Sequence, residues 1–142
     1  MDMKQAAKLL VVIFLLINTY WDMKKREILL WSIFLFGSLG VGLMLVFKTM
    51  TLSSGICGVF FGVAVIGCAY ITRQAIGYGD GLVIAVCGVY LGFLQVFVMV
   101  FYALLICCSV SVALIAVKKC TYRTYVPFLP YLLAGYGCVI LF

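Results

Sequence analysis

The chain has 142 residues, 68% of them hydrophobic and 10% charged, with a mean hydropathy of +1.32 and a formal net charge of +6. That composition excludes a soluble globular domain and marks an integral membrane protein. Residues 1–142 are expected to form one membrane-embedded domain, nearly all of it needed to cross the bilayer, so any active site must be built from membrane helices and short loops.

Lys4 and Lys8 precede the first apolar run, which resembles a secretory signal in outline. No small-x-small cleavage site follows before Tyr20-Trp21-Asp22, and a second apolar run begins a few residues later, so the segment reads as a retained first span. Six apolar stretches follow one another: Ala6 to Trp21, Ile28 to Phe47, Leu52 to Thr72, Gly81 to Phe93, Val96 to Val117, and Pro127 to Phe142. The first three approach the roughly 20 residues that a spanning helix needs. The 37 residues from Gly81 to Val117 would overshoot the bilayer as a single helix, so the run is split, with the turn expected between Gly92 and Gln95. The predicted fold is all-α, a polytopic bundle of six transmembrane helices.

Basic residues set the orientation. With the N-terminus outside, the loops after spans one, three and five hold Lys24, Lys25, Arg26, Arg73, Lys118, Lys119 and Arg123, against Lys4, Lys8 and Lys48 on the other side. The positive-inside rule favours that N-out, C-out arrangement in the cell membrane. The same basic loops read as a topology signal and a contact for anionic membrane lipids, since no groove-sized domain exists to bind nucleic acid.

The chain has four acidic residues, Asp2, Asp22, Glu27 and Asp80. Asp2 lies in the N-terminal tail and Glu27 in a charged cluster, where it reads as a solvated loop charge able to contact a basic substrate segment. Asp22 closes span one and Asp80 opens span four, so the predicted topology sets both carboxylates on the cytoplasmic side at similar depth. Ionisable groups near hydrocarbon are costly and usually functional. Each aspartate alone also has a plainer explanation. Asp80 suits a helix cap, and Asp22 could pair with Lys25 or Arg26 one turn on.

Together with their neighbours these residues resemble a family. Tyr20-Trp21-Asp22-Met23-Lys24-Lys25-Arg26-Glu27-Ile28 is similar to the segment around the first catalytic aspartate of type IV prepilin peptidases, and Gly77-Tyr78-Gly79-Asp80 to their Gly-x-Gly-Asp signature. Pro127-Phe128-Leu129-Pro130, with Gly135, resembles their last span. Two positions depart from the family pattern: Leu29-Leu30 stands where Pro-Asn commonly follows the isoleucine, and Leu82 where a lysine is frequent. None of the 142 residues supplies the Cys-x-x-Cys methyltransferase domain of the larger members, so the likeness is to the short, peptidase-only form that serves tight-adherence (Flp-type) pili. The resemblance implies Asp22 and Asp80 as catalytic residues. It implies type IV pilin-like precursors as partners, and cleavage of their short basic leader at the cytoplasmic face.

The chemistry of such a pair fits hydrolysis. One carboxylate takes a proton from water while the other, protonated, donates toward the carbonyl oxygen. Like charges close together in a poorly solvated site share a proton and titrate as a unit. Gly77 and Gly79 are expected to give the loop before span four backbone freedom and to let an extended substrate approach closely. Pro127 and Pro130 are expected to start and kink the last span, shaping the wall of the site.

No histidine is present and the seven cysteines form no Cys-x-x-Cys pair, which argues against a zinc site and excludes Ser-His and Cys-His nucleophiles; no cofactor is expected. Gly58-x-x-x-Gly62 and Gly88-x-x-x-Gly92 match small-residue helix packing and read as contacts within the bundle. Other readings stay open. A preflagellin peptidase differs mainly in substrate. A signal-peptide-peptidase or presenilin-like protease shares the Gly-x-Gly-Asp chemistry in a longer chain. A proton-coupled transporter would use two carboxylates as a relay nearer the bilayer midplane.

Overall fold

Apolar runs broken by charge, glycine and proline fold, in the computed structural model, into six helices. The structure describes residues 3–25, 29–47, 51–71, 77–117 and 127–141. The helices are α1 (Met3–Lys25), α2 (Leu30–Phe47), α3 (Leu52–Ile71), α4 (Tyr78–Leu91), α5 (Phe93–Ala116) and α6 (Leu129–Leu141), with no strand among the described residues. Three of them, within α1, α3 and α5, are long and apolar enough to cross a membrane; α2, α4 and α6 are apolar but shorter.

The outer surface is that of a protein solvated by hydrocarbon. Trp31, Phe34, Phe60, Tyr70 and Leu94 are all more than 70% exposed, a concentration of large apolar side chains that water-soluble monomers do not carry. Inside, α4 is the central element, with ten of its fourteen residues buried. Val11, Phe14 and Leu15 of α1, Val96 and Met99 of α5, and Leu129, Leu132 and Tyr136 of α6 complete the core around Val83, Ile84 and Cys87.

Helices in lipid gain little from hydrophobic attraction to each other, so close packing depends on small residues at the crossings. At the α3/α4 contact Gly58 lies on the backbone of Gly88, Gly62 on Ala85, and Gly81 on Ile66. These pairs descend on one helix as they rise on the other, so α3 and α4 are antiparallel. Gly58, Gly62 and Gly88 thus pack as expected within the bundle. Gly92 acts differently, as the single residue between α4 and α5, at the expected break, with φ 78° and ψ 172°. That conformation is one that glycine reaches without a Cβ penalty.

The other helices are locked by a few specific contacts. Gly135 lets α6 settle on the backbone of Met99 and Ala103 in α5. The Tyr136 hydroxyl donates to the Lys8 carbonyl of α1 at 3.2 Å, and the Tyr90 hydroxyl to the Phe36 carbonyl of α2 at 2.6 Å. Phe14 and Phe36 bring α1 and α2 together with ring centroids 5.1 Å apart.

Candidate active site

Asp22 occupies the last turn of α1 and Asp80 the first turn of α4, each only 7% exposed. α1 packs against α4, and the two carboxyl groups are near enough for their charges to interact. The two aspartates singled out in the sequence therefore lie at the same end of the bundle, within range of each other's charge.

The local fold around Asp80 differs from the expected loop. Gly77 is the N-cap, in extended conformation at φ −64° and ψ 135°, and Tyr78, Gly79 and Asp80 are already helical. The Asp80 N–H donates to the Gly77 carbonyl at 3.1 Å, and the Gly77 N–H is directed back at the Asp80 carboxylate. This is the acidic half of a capping box, built without an N-cap side chain. Gly79 and Asp80 thus belong to a helix rather than to a free loop, and the acid stands at the third helical position instead of the cap. The positive end of the α4 dipole favours a carboxylate there.

Asp22 is held from another direction. The backbone N–H of Leu129, first residue of α6, is directed at its carboxylate. Pairing with Lys25 does not occur: the Lys25 ammonium lies over the Trp21 ring, 4.7 Å from its centroid, and Lys24 lies over Tyr20 at 5.6 Å. Each cation is satisfied by an aromatic face beside it. Glu27, Arg26 and Ile76 lie outside the described residues.

Pro127 precedes α6 as expected, but Pro130 does not kink it. Pro130 is the second helical residue, where a missing N–H leaves no bond unmade. The turn closes through Tyr131 and Leu132, whose N–H groups donate to Phe128 at 3.0 and 3.1 Å. The effect of this start is to bring the free Leu129 N–H to Asp22.

Sequence reading missed a polar face on α1. Asn18 is fully buried and Thr19 and Ser32 are 8% exposed. Asn18 donates from Nδ2 to the Phe14 carbonyl at 2.9 Å; the one Ser32 hydroxyl proton is shared between Asn18 Oδ1 at 2.9 Å and the Leu29 carbonyl at 2.7 Å. The bond between Asn18 and Ser32 ties the start of α2 to the turn of α1 that precedes Asp22. A signal was available: Asn18 and Thr19 stand four and three residues before Asp22 in an otherwise apolar run, hence on its face of the helix. The Leu129 contact had none.

Among the described residues no group of three histidine, cysteine or acidic side chains is gathered as metal ligands. What the end of the bundle offers is two buried carboxyl groups, each faced by a backbone N–H, an arrangement suited to moving one proton between them and a bound water. No curated protein and no solved structure matches the chain. The sequence profile of the type IV leader peptidase family does, over residues 9–112, a span that contains both aspartates. With the larger part of its length matched, the chain belongs to the type IV leader peptidase family.

Proposed function

We propose that this protein is a membrane aspartyl endopeptidase that removes the short basic leader from small type IV pilin-like precursors of the tight-adherence class. The observation that carries this reading is the nearness of Asp22 and Asp80, buried at one end of a helical bundle in a chain of the leader peptidase family. In this reading all six helices cross the cell membrane, N-out and C-out, with the exposed Lys24 and Lys25 beside Asp22 marking the cytoplasmic face.

One carboxylate draws a proton from water as it attacks the scissile carbonyl, and the other donates its proton toward the developing oxyanion. The roles then reverse when the amine leaves. The Leu129 and Gly77 N–H groups favour the charged form of whichever acid is ionised. Gly77 and Gly79 give the substrate strand access to the main chain beside Asp80, while Pro127 and Pro130 set the start of α6 against Asp22. Glu27 serves the basic leader without taking part in the chemistry. The substrate expected has a glycine before the scissile bond and an apolar helix that stays in the bilayer.

The test is co-expression with candidate pilin precursors, reading leader loss on a gel. Wild-type protein is expected to shorten a precursor of this class, and Asp22→Asn or Asp80→Asn to abolish cleavage while the protein still accumulates in the membrane. An amide keeps the shape but can neither share the proton nor act as a base. Near wild-type processing by either variant refutes the pair.

A further inference from the structure

One buried hydroxyl has been left without a partner, and it lies one helical turn from Asp22. Thr19 Oγ1 is sealed from solvent and makes no hydrogen bond among the described residues. A hydroxyl inside a helix ordinarily turns back onto a carbonyl of the preceding turn. Ser38 and Ser109 do so here, bonding Leu35 and Leu105 at 3.0 and 2.8 Å. Thr19 forgoes that bond, although an orphaned buried hydroxyl is destabilising.

Its position gives the reason. Thr19 and Asp22 are three residues apart on α1 and share its buried face with Phe14, Leu15 and Asn18. Helical side chains lean toward the N-terminus, so the Asp22 side chain extends back over the turn that holds Thr19. Asn18, the other polar group of that turn, already spends one amide N–H on Phe14 and holds Ser32 at its carbonyl oxygen. Thr19 Oγ1 is the polar atom of that turn with no bond among the described residues. Threonine in a helix has two accessible χ1 wells, so its hydroxyl can change direction without movement of the backbone.

We propose that Thr19 is a positioning residue for Asp22: its hydroxyl donates to the Asp22 carboxylate when substrate enters, and with the Leu129 N–H fixes the orientation in which that carboxylate meets the attacking water. The resting structure holds the donor in reserve. This inference rests on the peptidase function proposed above.

The experiment uses the purified full chain and a cleavable pilin precursor, comparing wild type, Thr19→Val and Thr19→Ser for kcat, KM and thermal unfolding. Valine keeps the shape and removes the hydroxyl. Thr19→Val is expected to lower kcat by about tenfold or more, as loss of a hydrogen bond to a charged group does, with KM nearly unchanged. Its unfolding temperature is expected to equal or exceed that of wild type, because an orphaned polar atom has been removed. Thr19→Ser is expected to recover most of the activity. A Thr19→Val protein with wild-type kcat overturns the inference. So does a kcat loss that accompanies a lowered unfolding temperature and is not recovered by serine, since that is the behaviour of a packing residue. Should the valine variant fail to accumulate, Thr19→Ala against Thr19→Ser makes the same comparison. Failure of the wild-type chain to cleave any such precursor removes the peptidase reading and this inference with it; an active wild type matched by Thr19→Val removes this inference alone.

Discussion

Gly62→Ala separates two roles of the α3/α4 crossing, holding the fold together and holding Asp80 in place. A methyl group on Gly62 would lie 2.5 Å from the Cα, Cβ and N of Ala85, where carbon pairs rest at about 3.5–4.0 Å. The obstacle is backbone, so no side-chain rotation relieves it, and α4 has to shift by roughly 1 Å. Overpacking of this kind costs about 1–3 kcal/mol, offset by about 1 kcal/mol because alanine favours the helix over glycine. The net loss of stability is therefore modest. The effect on the site is not, because Ala85 stands five residues along α4 from Asp80, roughly 7.5 Å on the helix axis, and a stiff helix transmits the shift. A misplacement of about 1 Å at a catalytic group can lower the rate about a hundredfold. The assay is precursor processing beside thermal unfolding of the purified protein. Gly67→Ala, on the same helix with nothing within 4 Å of its added carbon, serves as the control and is expected to keep full activity with equal or greater stability. Full processing by Gly62→Ala would refute the claim that this crossing sets the position of Asp80.

Two further outcomes are expected. Chelators should leave processing intact, since the sequence has no histidine and the proposed proton transfers use carboxylates alone; inhibition by a chelator with rescue by zinc would contradict this. Gly92→Ala should destabilise the protein by about 1–3 kcal/mol, because φ 78° with ψ 172° lies in a region essentially reserved for glycine, and an unfolding measurement showing no change would contradict the geometry of the α4/α5 junction.

Helix existence and the break at Gly92 could be read along the chain because bilayer-scale hydropathy and glycine are local signals. That Asp22 and Asp80 share one end of the bundle could be inferred as well, since alternating spans bring the end of the first and the start of the fourth to one side; how near they come could not. What failed to show were details of a single turn and contacts across long separations. Asp80 reads as a helix cap until Gly77 is seen to be extended and Tyr78 helical, which moves the cap three residues back. Pro130 reads as a kink because its place is counted from the apolar run, whereas the helix begins only at Leu129. The donor facing Asp22 comes from a main chain 107 positions away and carries no side-chain signature. Asn18 and Ser32 are each unremarkable alone, and their significance lies in the bond between them.

The one-residue junction at Gly92 has a consequence for where hydrolysis happens. α5 turns back beside α4 from that point, and at 1.5 Å per residue its 24 residues rise roughly 36 Å, against roughly 21 Å for the 14 of α4. With both measured from a common floor, the N-terminal end of α4 stops roughly 15 Å below the far end of α5. Asp80 therefore stands at the bottom of a step in the bundle rather than at its rim. Set in a bilayer as proposed, Asp80 would lie below the level that the far end of α5 reaches. A precursor of the proposed kind would then have to bring its scissile bond down past the end of α5 to reach Asp80, so the depth of the cut would be set by the lengths of two helices.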